Sequence, residues 1–535
     1  MSERTANSVA PRTSAQTRVA FVLIGLVAVI VHVRAAQMRT AGMLEHDEAI
    51  SLLSAAGKAD IALRLYDDQA ADTPPMRQAA ELRAMLRPSS DTGFADVRAS
   101  LHDRDIHPPL YFWMLYAAQR CGLSSETALR LLGSLLLLAS ALTLDRFAWP
   151  RATPMVRLMA FALFLLTPAI VLMAIELRHY SLVTLGYAMS VCAMIRVAEP
   201  RSDWRWNSIW IAAAASLLIW THFGSLIWIG LWLLTACVAT WGTGRRRFLA
   251  LASGLAMAAV LAWPAIAQLF DIIAQRPAGG AHATAPLTSV VFSVGKNLSQ
   301  LFVTAPWRLQ TSWLAVGPTL LVFALASVLL RERPRVDRML FALGGLWLVA
   351  WITLLSMGRL PPHAIAAKYL TPALLALMAV VVRSCEPGEG GRFRSRVVTA
   401  TGVVALLSHI AAAPSMLSTP GDAAIASAIA DVRTVLVNDP KRGYLFPVVA
   451  ELPDSARVWI MRPMRMPSDP EATRAPLLLL EVRPLPGYPA TDDVERLCEI
   501  LSSQYEQREA LADGPRRRMT LYRGRRESAA AIGID

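Results

Sequence analysis

Charge is scarce in this sequence, and cysteine chemistry is nearly missing. Only 17% of the 535 residues are Asp, Glu, Lys or Arg, against 54% hydrophobic ones. The five cysteines, Cys121, Cys192, Cys237, Cys385 and Cys498, lie far apart, most of them in or beside apolar runs, with no C-x-x-C pair. Neither a zinc ribbon nor a disulfide scaffold is indicated. No H-x-x-H pair marks a metal site, and no short-period repeat or low-complexity tract is present. The formal charge of +13 comes mostly from short basic clusters between apolar runs. It is not an aromatic-interleaved basic surface, so a nucleic-acid partner is not expected.

What the chain does have is a series of apolar runs, each about 20 residues, the length needed to cross a hydrocarbon core. The reading is a mainly α, polytopic membrane protein. Residues 1–17 are polar and lead through Arg18 into the run from Val19 to Val33. A signal peptide is the competing reading, with Ala35-Ala36 as a loose cleavage site. An uncleaved first helix is preferred, because the membrane pattern continues and the basic flank holds the N-terminus in the cytoplasm.

The segment His107-Pro108-Pro109-Leu110-Tyr111-Phe112-Trp113-Met114-Leu115-Tyr116 decides the topology. It is short for a span and has an interfacial composition. If it stays on one side, Arg146/Arg151/Arg157, Arg196/Arg201/Arg205, Arg245-Arg246-Arg247, Arg331/Arg333/Arg335/Arg338 and Arg383/Arg392/Arg394/Arg396 all fall on the inner face. If it crossed, each of those clusters would face outward, against the positive-inside rule. Eleven spans follow, with the N-terminus inside and the C-terminus outside. The expected domains are a tail over 1–17, a membrane domain over 18–413 with a first outer loop at about 38–125, and a soluble α/β domain over 414–535. In the last, Thr434 to Val437, Val458 to Met461, Leu477 to Val482 and Met519 to Tyr522 read as strands. Lys441 to Leu452 and Asp492 to Ser502 read as helices. No catalytic motif stands out there.

This topology sorts the unusual polar residues. Asp47 and Glu48 follow the first span, ahead of an amphipathic stretch carrying Ile50, Leu53 and Ser54 that is expected to lie on the membrane surface. On the same outer face fall His107, Glu176-Leu177-Arg178-His179-Tyr180, the turn Thr221-His222-Phe223-Gly224, and Lys368-Tyr369. Taken singly, each has an ordinary explanation as an anchor, a turn residue or part of an aromatic belt. Gathered on one face with carboxylates, the cations run against the inside bias. Arg and Lys aimed at a membrane-level cavity suit a lipid phosphate. A carboxylate opposite them can take a proton from a hydroxyl nucleophile. A phosphate leaving group needs charge stabilisation rather than protonation, so one base and a cationic clamp suffice.

At these residues the sequence resembles the GT-C membrane glycosyltransferases, in the subgroup of protein O-mannosyltransferases and the lipid A aminoarabinose and galacturonic acid transferases. The resemblance rests on Asp47-Glu48-Ala49, His107-Pro108-Pro109-Leu110-Tyr111-Phe112, Ser125-Glu126-Thr127-Ala128-Leu129-Arg130, Arg178-His179-Tyr180-Ser181-Leu182, Thr221-His222-Phe223 and Lys368-Tyr369-Leu370-Thr371-Pro372-Ala373-Leu374, in order over residues 18–383. It implies a polyprenyl-phosphate-linked sugar donor, a lipid, glycan or protein acceptor, inversion at the anomeric carbon, and a bacterial-type inner-membrane location. It makes Asp47 the base, with Glu48 orienting it or the acceptor. Arg178 and Lys368 contact the donor phosphate, His107 and His222 line the pocket, and Tyr180 and Tyr369 hydrogen-bond phosphate or sugar. The sequence departs from the family pattern at Lys368, where Arg is frequent, and at His179, where Pro or Met is common. His46, Asp47, Glu48, His107 and His222 are the candidate ligands for a divalent cation. The relatives closest in motif manage without one, so no metal or other cofactor is expected. Two rival readings use the same residues or domains: a transporter or flippase of an anionic lipid, and a receptor-like protein working through its C-terminal domain.

Overall fold

The computed structural model describes residues 15–41, 44–59, 76–102, 107–199, 203–240, 245–275, 284, 286–302, 313–330, 334–360, 362–387, 390–417, 420–438, 445–460, 476–482, 492–513 and 517–525. In chain order the helices begin with α1 (Ala15–Thr40) and α2 (His46–Ala55), followed by the short strand β1 (Met76–Gln78), α3 (Ala79–Ala84), α4 (Phe94–His102) and α5 (Leu110–Arg120). Next come α6 (Glu126–Phe147), α7 (Pro154–Leu166), α8 (Pro168–Ile175), α9 (Tyr180–Ala198), α10 (Trp204–Thr221), α11 (Ser225–Thr240), α12 (Arg245–Leu261), α13 (Trp263–Gln275) and α14 (Leu287–Gln300). The last apolar helices are α15 (Gly317–Leu329), α16 (Arg335–Ser356), α17 (Ala367–Arg383) and α18 (Gly391–Leu417). The chain closes with α19 (Pro420–Ile429), β2 (Thr434–Asn438), α20 (Leu445–Glu451), β3 (Arg457–Ile460), β4 (Leu477–Val482), α21 (Asp492–Gln504), β5 (Tyr505–Asp513) and β6 (Arg517–Arg525).

These elements form two compact units. The first takes Met1–Ala36, Ile106–Pro108 and Arg130–Leu417; the second takes Gln37–Asp105, Pro109–Leu129 and Ser418–Asp535. The first unit is the membrane body, mainly helical as the sequence indicates. Among the described residues, α1, α6, α9, α16 and most of α18 are long and apolar enough to cross a membrane. Two bent pairs raise the number to seven if each counts as one span: α7 with α8 at 53°, and α12 with α13 at 67°. Each of the eleven apolar runs of the sequence falls on a helix or a bent pair, and two of the runs are broken. Pro168 and Pro264 explain both breaks. Proline lacks an N–H and clashes with the preceding turn, so it begins a new helix instead of continuing the old one. Between α13 and α15 lies α14, which buries Val290, Val294 and Leu298. Many large apolar side chains point outward, among them Ile30, Val260 and Val404. That exposure is what a hydrocarbon solvent requires.

In the second unit, a six-stranded mixed sheet runs in the order β1-β3-β2-β4-β6-β5. β2 pairs in parallel with β3 and β4, through Leu436 opposite both Trp459 and Leu479. β6 lies antiparallel to β4, with Leu521 opposite Leu478. Leu436, Trp459, Leu477, Leu479, Cys498, Leu501, Tyr505 and Tyr522 form a core. The strands and helices read from the sequence recur with shifts of a few residues. Two strands are additional. β5 is polar and lies at the sheet edge, where Glu506 to Ala510 are all exposed, so no buried face imposes an alternating pattern on it. β1 comes from the first loop and pairs with β3 through Met76 opposite Trp459. The aromatic run becomes α5, whose 11 residues extend about 16 Å, half a hydrocarbon core.

Candidate functional site

Within the second unit, Asp47 and Glu48 open α2. The N-cap is Glu45, whose backbone N–H donates to Glu48 Oε2 at 3.0 Å, the reciprocal arm of a capping box. Arg39 pairs with Glu45 and lies 3.8 Å from Glu48 Oε2. Glu48 is completely buried, whereas Asp47 keeps part of its surface. Successive helix residues point about 100° apart, so the two carboxylates face different neighbours. Glu48 is the fixed member and Asp47 the accessible one. The amphipathic stretch does form a helix, but Glu48, Ala49 and Ser51 to Ala55 are all buried, leaving His46, Asp47 and Ile50 partly open. Its small residues let neighbours pack on several sides, so it is a core helix rather than one lying exposed on a surface.

Within the first unit, the candidate residues gather where helices end. Gly133 of α6 lets the α8 backbone come close: a Cβ there would lie 2.0 Å from the Ala174 carbonyl oxygen. The buried Arg130 donates from Nη1 to the Ile175 carbonyl at 3.0 Å, satisfying an orphan acceptor at the C-terminus of α8. These contacts fix the linker Glu176-Leu177-Arg178-His179, which leads straight into α9. Across from it, α17 begins after its N-cap Ala366, with Lys368 and Tyr369 in its first turn.

Lys368 Nζ pairs with Glu176 Oε1 at 2.8 Å and sits 4.2 Å from the centre of the Tyr180 ring. Tyr180 and Tyr369 share a hydroxyl–hydroxyl hydrogen bond of 3.0 Å. Trp347 Nε1 donates to the Tyr369 carbonyl at 3.2 Å, and Trp351 stacks on the Tyr369 ring at 5.8 Å. A void of about 20 Å³ lies between Tyr180, His222, Trp347, Lys368 and Tyr369; a space of that size holds one water. Arg178 is 7% exposed.

Beside them His107, His179 and His222 form a cluster. Their ring centres are 4.4 Å (His107–His179), 4.8 Å (His179–His222, stacked) and 5.6 Å (His107–His222) apart. Burial pushes the His179 imidazole well below its ordinary value, and His107, His222, Arg178 and Lys368 push it the same way. His179 is therefore neutral near pH 7. His222 ends α10 in an extended conformation, φ −159° and ψ 116°. Its ring covers Gly224, where a Cβ would come within 2.5 Å of His222 Cε1.

The six first-unit residues singled out by sequence, His107, Arg178, Tyr180, His222, Lys368 and Tyr369, lie in this neighbourhood, and the carboxylate pair stands in the second unit. His179, Glu176, Arg130, Trp347 and Trp351 are additions. His179 and Glu176 flank Arg178 in the sequence, a signal for them; the two tryptophans read as ordinary span residues. Asp103-Arg104-Asp105, a D-x-D spacing, is outside the described residues.

A second cavity of about 150 Å³ lies in the first unit, lined almost wholly by apolar side chains such as Phe164, Ile170, Leu301, Leu374, Met378 and Val398. Its chemistry admits hydrocarbon and little else.

No family model matches this chain, and no curated protein matches it. Solved structures do. ArnT from Cupriavidus metallidurans bound to undecaprenyl phosphate aligns with a TM-score of 0.53 at 13% identity, over 95% of this chain and 98% of that one. The same protein in the apo state aligns with a TM-score of 0.52 at 15% identity, over 98% and 100%. The likeness spans both chains nearly end to end and establishes the fold, which is the one these ArnT structures have.

Proposed function

We propose that this protein is an inverting glycosyltransferase that moves a sugar from a polyprenyl-phosphate donor to a hydroxyl of a cell-envelope acceptor. The observation that carries this reading is the end of the first unit where α9 and α17 both begin. A helix N-terminus concentrates unpaired N–H groups and positive dipole, and favours anions. Two such termini stand there with Arg178 and Lys368, and Tyr180 joins Tyr369 between them. This chemistry suits a phosphate. The apolar cavity suits a prenyl chain, and a solved structure of the same fold is described as bound to undecaprenyl phosphate.

In the proposed reaction the acceptor hydroxyl oxygen attacks the anomeric carbon as the bond from that carbon to the phosphate oxygen breaks. The electron pair leaves with the phosphate, and the hydroxyl proton passes to Asp47. Arg178 and Lys368 stabilise the developing phosphate charge, which is an electrostatic role. Asp47 is the base because its carboxylate is the accessible one; Glu48, held by the Glu45 N–H, positions the start of α2. His107, His222, Tyr180 and Tyr369 line the donor pocket. The location that goes with this chemistry is a bacterial-type inner membrane, with the N-terminus cytoplasmic and the site on the outer face.

The test compares polyprenyl-phosphate sugars and envelope glycans with and without the protein, then repeats the transfer in membranes carrying Asp47→Asn. General-base loss lowers the rate by about 10²–10⁴-fold while the protein still inserts. Full activity in the Asn variant would remove Asp47 as base. Transbilayer lipid movement with unchanged glycans would replace the transferase by a transporter.

A further inference from the structure

We propose that His107, His179 and His222 form a binding site for a borderline divalent transition metal of the Zn²⁺ type, with one coordination position open to an anionic oxygen. The geometry points to it. Candidate ligand atoms of the three residues all lie within 4.8 Å of one another. Tetrahedral Zn²⁺ with Zn–N bonds of about 2.0–2.1 Å sets imidazole ring centres about 5 Å apart. The three separations here, 4.4, 4.8 and 5.6 Å, bracket that value. The ligand nitrogens need only rotate inward by about an ångström to reach the tetrahedral spacing.

The backbone supports the cluster from three separate segments. His107 precedes Pro108-Pro109, both buried, and proline limits the conformations of the residue before it. His179 caps α9, and His222 caps α10 over a glycine whose missing Cβ leaves the ring its place. Imidazole donors favour Zn²⁺, Cu²⁺, Ni²⁺ or Co²⁺ over Mg²⁺ and Ca²⁺, which take oxygen ligands.

The surrounding charge decides what the open position takes. Arg178 precedes His179 in the chain, and Lys368, paired with Glu176, lies 4.2 Å from the centre of the Tyr180 ring, which is itself 4.5 Å from the His179 ring. A bare dication is repelled by these cations; one carrying an anion is not. Metal and anion therefore bind together, each raising the affinity for the other. That the anion is the donor phosphate rests on the proposed transfer reaction; the metal site does not.

The experiment uses full-length protein purified in detergent through a histidine-free tag, stripped with a chelator and titrated with Co²⁺. Metal content is measured in parallel after equilibration with Zn²⁺. Expected are one bound Zn²⁺ per chain and intense visible Co²⁺ bands of a tetrahedral site. His179→Ala and His222→Ala lower the apparent affinity by about 100-fold, while the melting temperature of each metal-free variant stays near that of the metal-free parent. The more conservative His179→Gln serves where Ala fails to fold. Added inorganic phosphate shifts the Co²⁺ bands and tightens Co²⁺ binding several-fold. No metal bound by the parent, or unchanged binding in folded His179 and His222 variants, overturns the site. Phosphate without effect on bound Co²⁺ overturns the open position. Metal binding in a protein without transfer activity would refute the proposed function and leave the site standing.

Discussion

Helix α17 carries a cation near each end, and the two ends treat it differently. Arg383 lies in the last turn, where the helix dipole attracts a cation, and pairs with the buried Asp337 at 2.6 Å. Its Nη1 also reaches the Ala148 carbonyl at 3.5 Å. Lys368 lies in the first turn, where the dipole repels a cation, and is held by Glu176 beside a small void, two tyrosines and the histidine cluster. One end closes a charge away; the other assembles positive charge and keeps room beside it. In the proposed transfer reaction, the end whose charge the helix itself opposes is the one that takes the phosphate.

Substitutions can break that comparison, and the largest effect belongs to the closed end. Arg383→Ala leaves Asp337 buried without its ion-pair partner, and destabilises the protein by about 3–5 kcal/mol. Thermal unfolding in detergent measures this, and an unchanged midpoint would show that the pair carries no structure. At the open end, Lys368→Ala lowers transfer activity by about 10²–10³-fold, the size seen when a group stabilising transition-state charge is removed. Its effect on stability stays under about 1 kcal/mol, because the pair with Glu176 is partly solvated. A large drop in stability with activity per folded molecule intact would make the two ends alike. The smallest effect is expected from Tyr369→Phe, which removes the hydroxyl bond to Tyr180. One hydrogen bond contributes about 0.5–1.5 kcal/mol, so the rate falls by up to about tenfold, read as a change in kcat/KM for the donor.

Much of the fold was legible in the sequence because apolar length and period-2 alternation are local signals. Leu477 to Val482 is a strand in both readings, since a run of four leucines between Pro476 and Arg483 fits little else of that length. Where reading failed, the cause was tertiary. β1 is a strand only because Met76 to Gln78 meets Arg457 to Trp459, and nothing in those three residues alone announces it. α2 was readable as a helix, but not as a buried one, because its own pattern does not show what covers it.

The site divides along the same line. The bonds of α2 are local: Glu45, Glu48 and Arg39 meet within ten residues, and the sequence could present that group whole. The open end of α17 is not local. Lys368 and Glu176 are 192 positions apart, and Tyr180 and Tyr369 are 189 apart. The three histidines come from three connections between helices, so no ligand spacing advertises them, and the expectation of no metal was formed without His179 as a ligand. By itself the sequence determined which segments are apolar helices, which form the small sheet, and which polar residues stand where helices end, because these follow from solvation and local hydrogen bonding. Tertiary structure alone decided which ends meet: close approach at Gly133, the turns at Pro168 and His222, and pairing across nearly two hundred residues are properties of packing, and packing has no fixed distance in the chain.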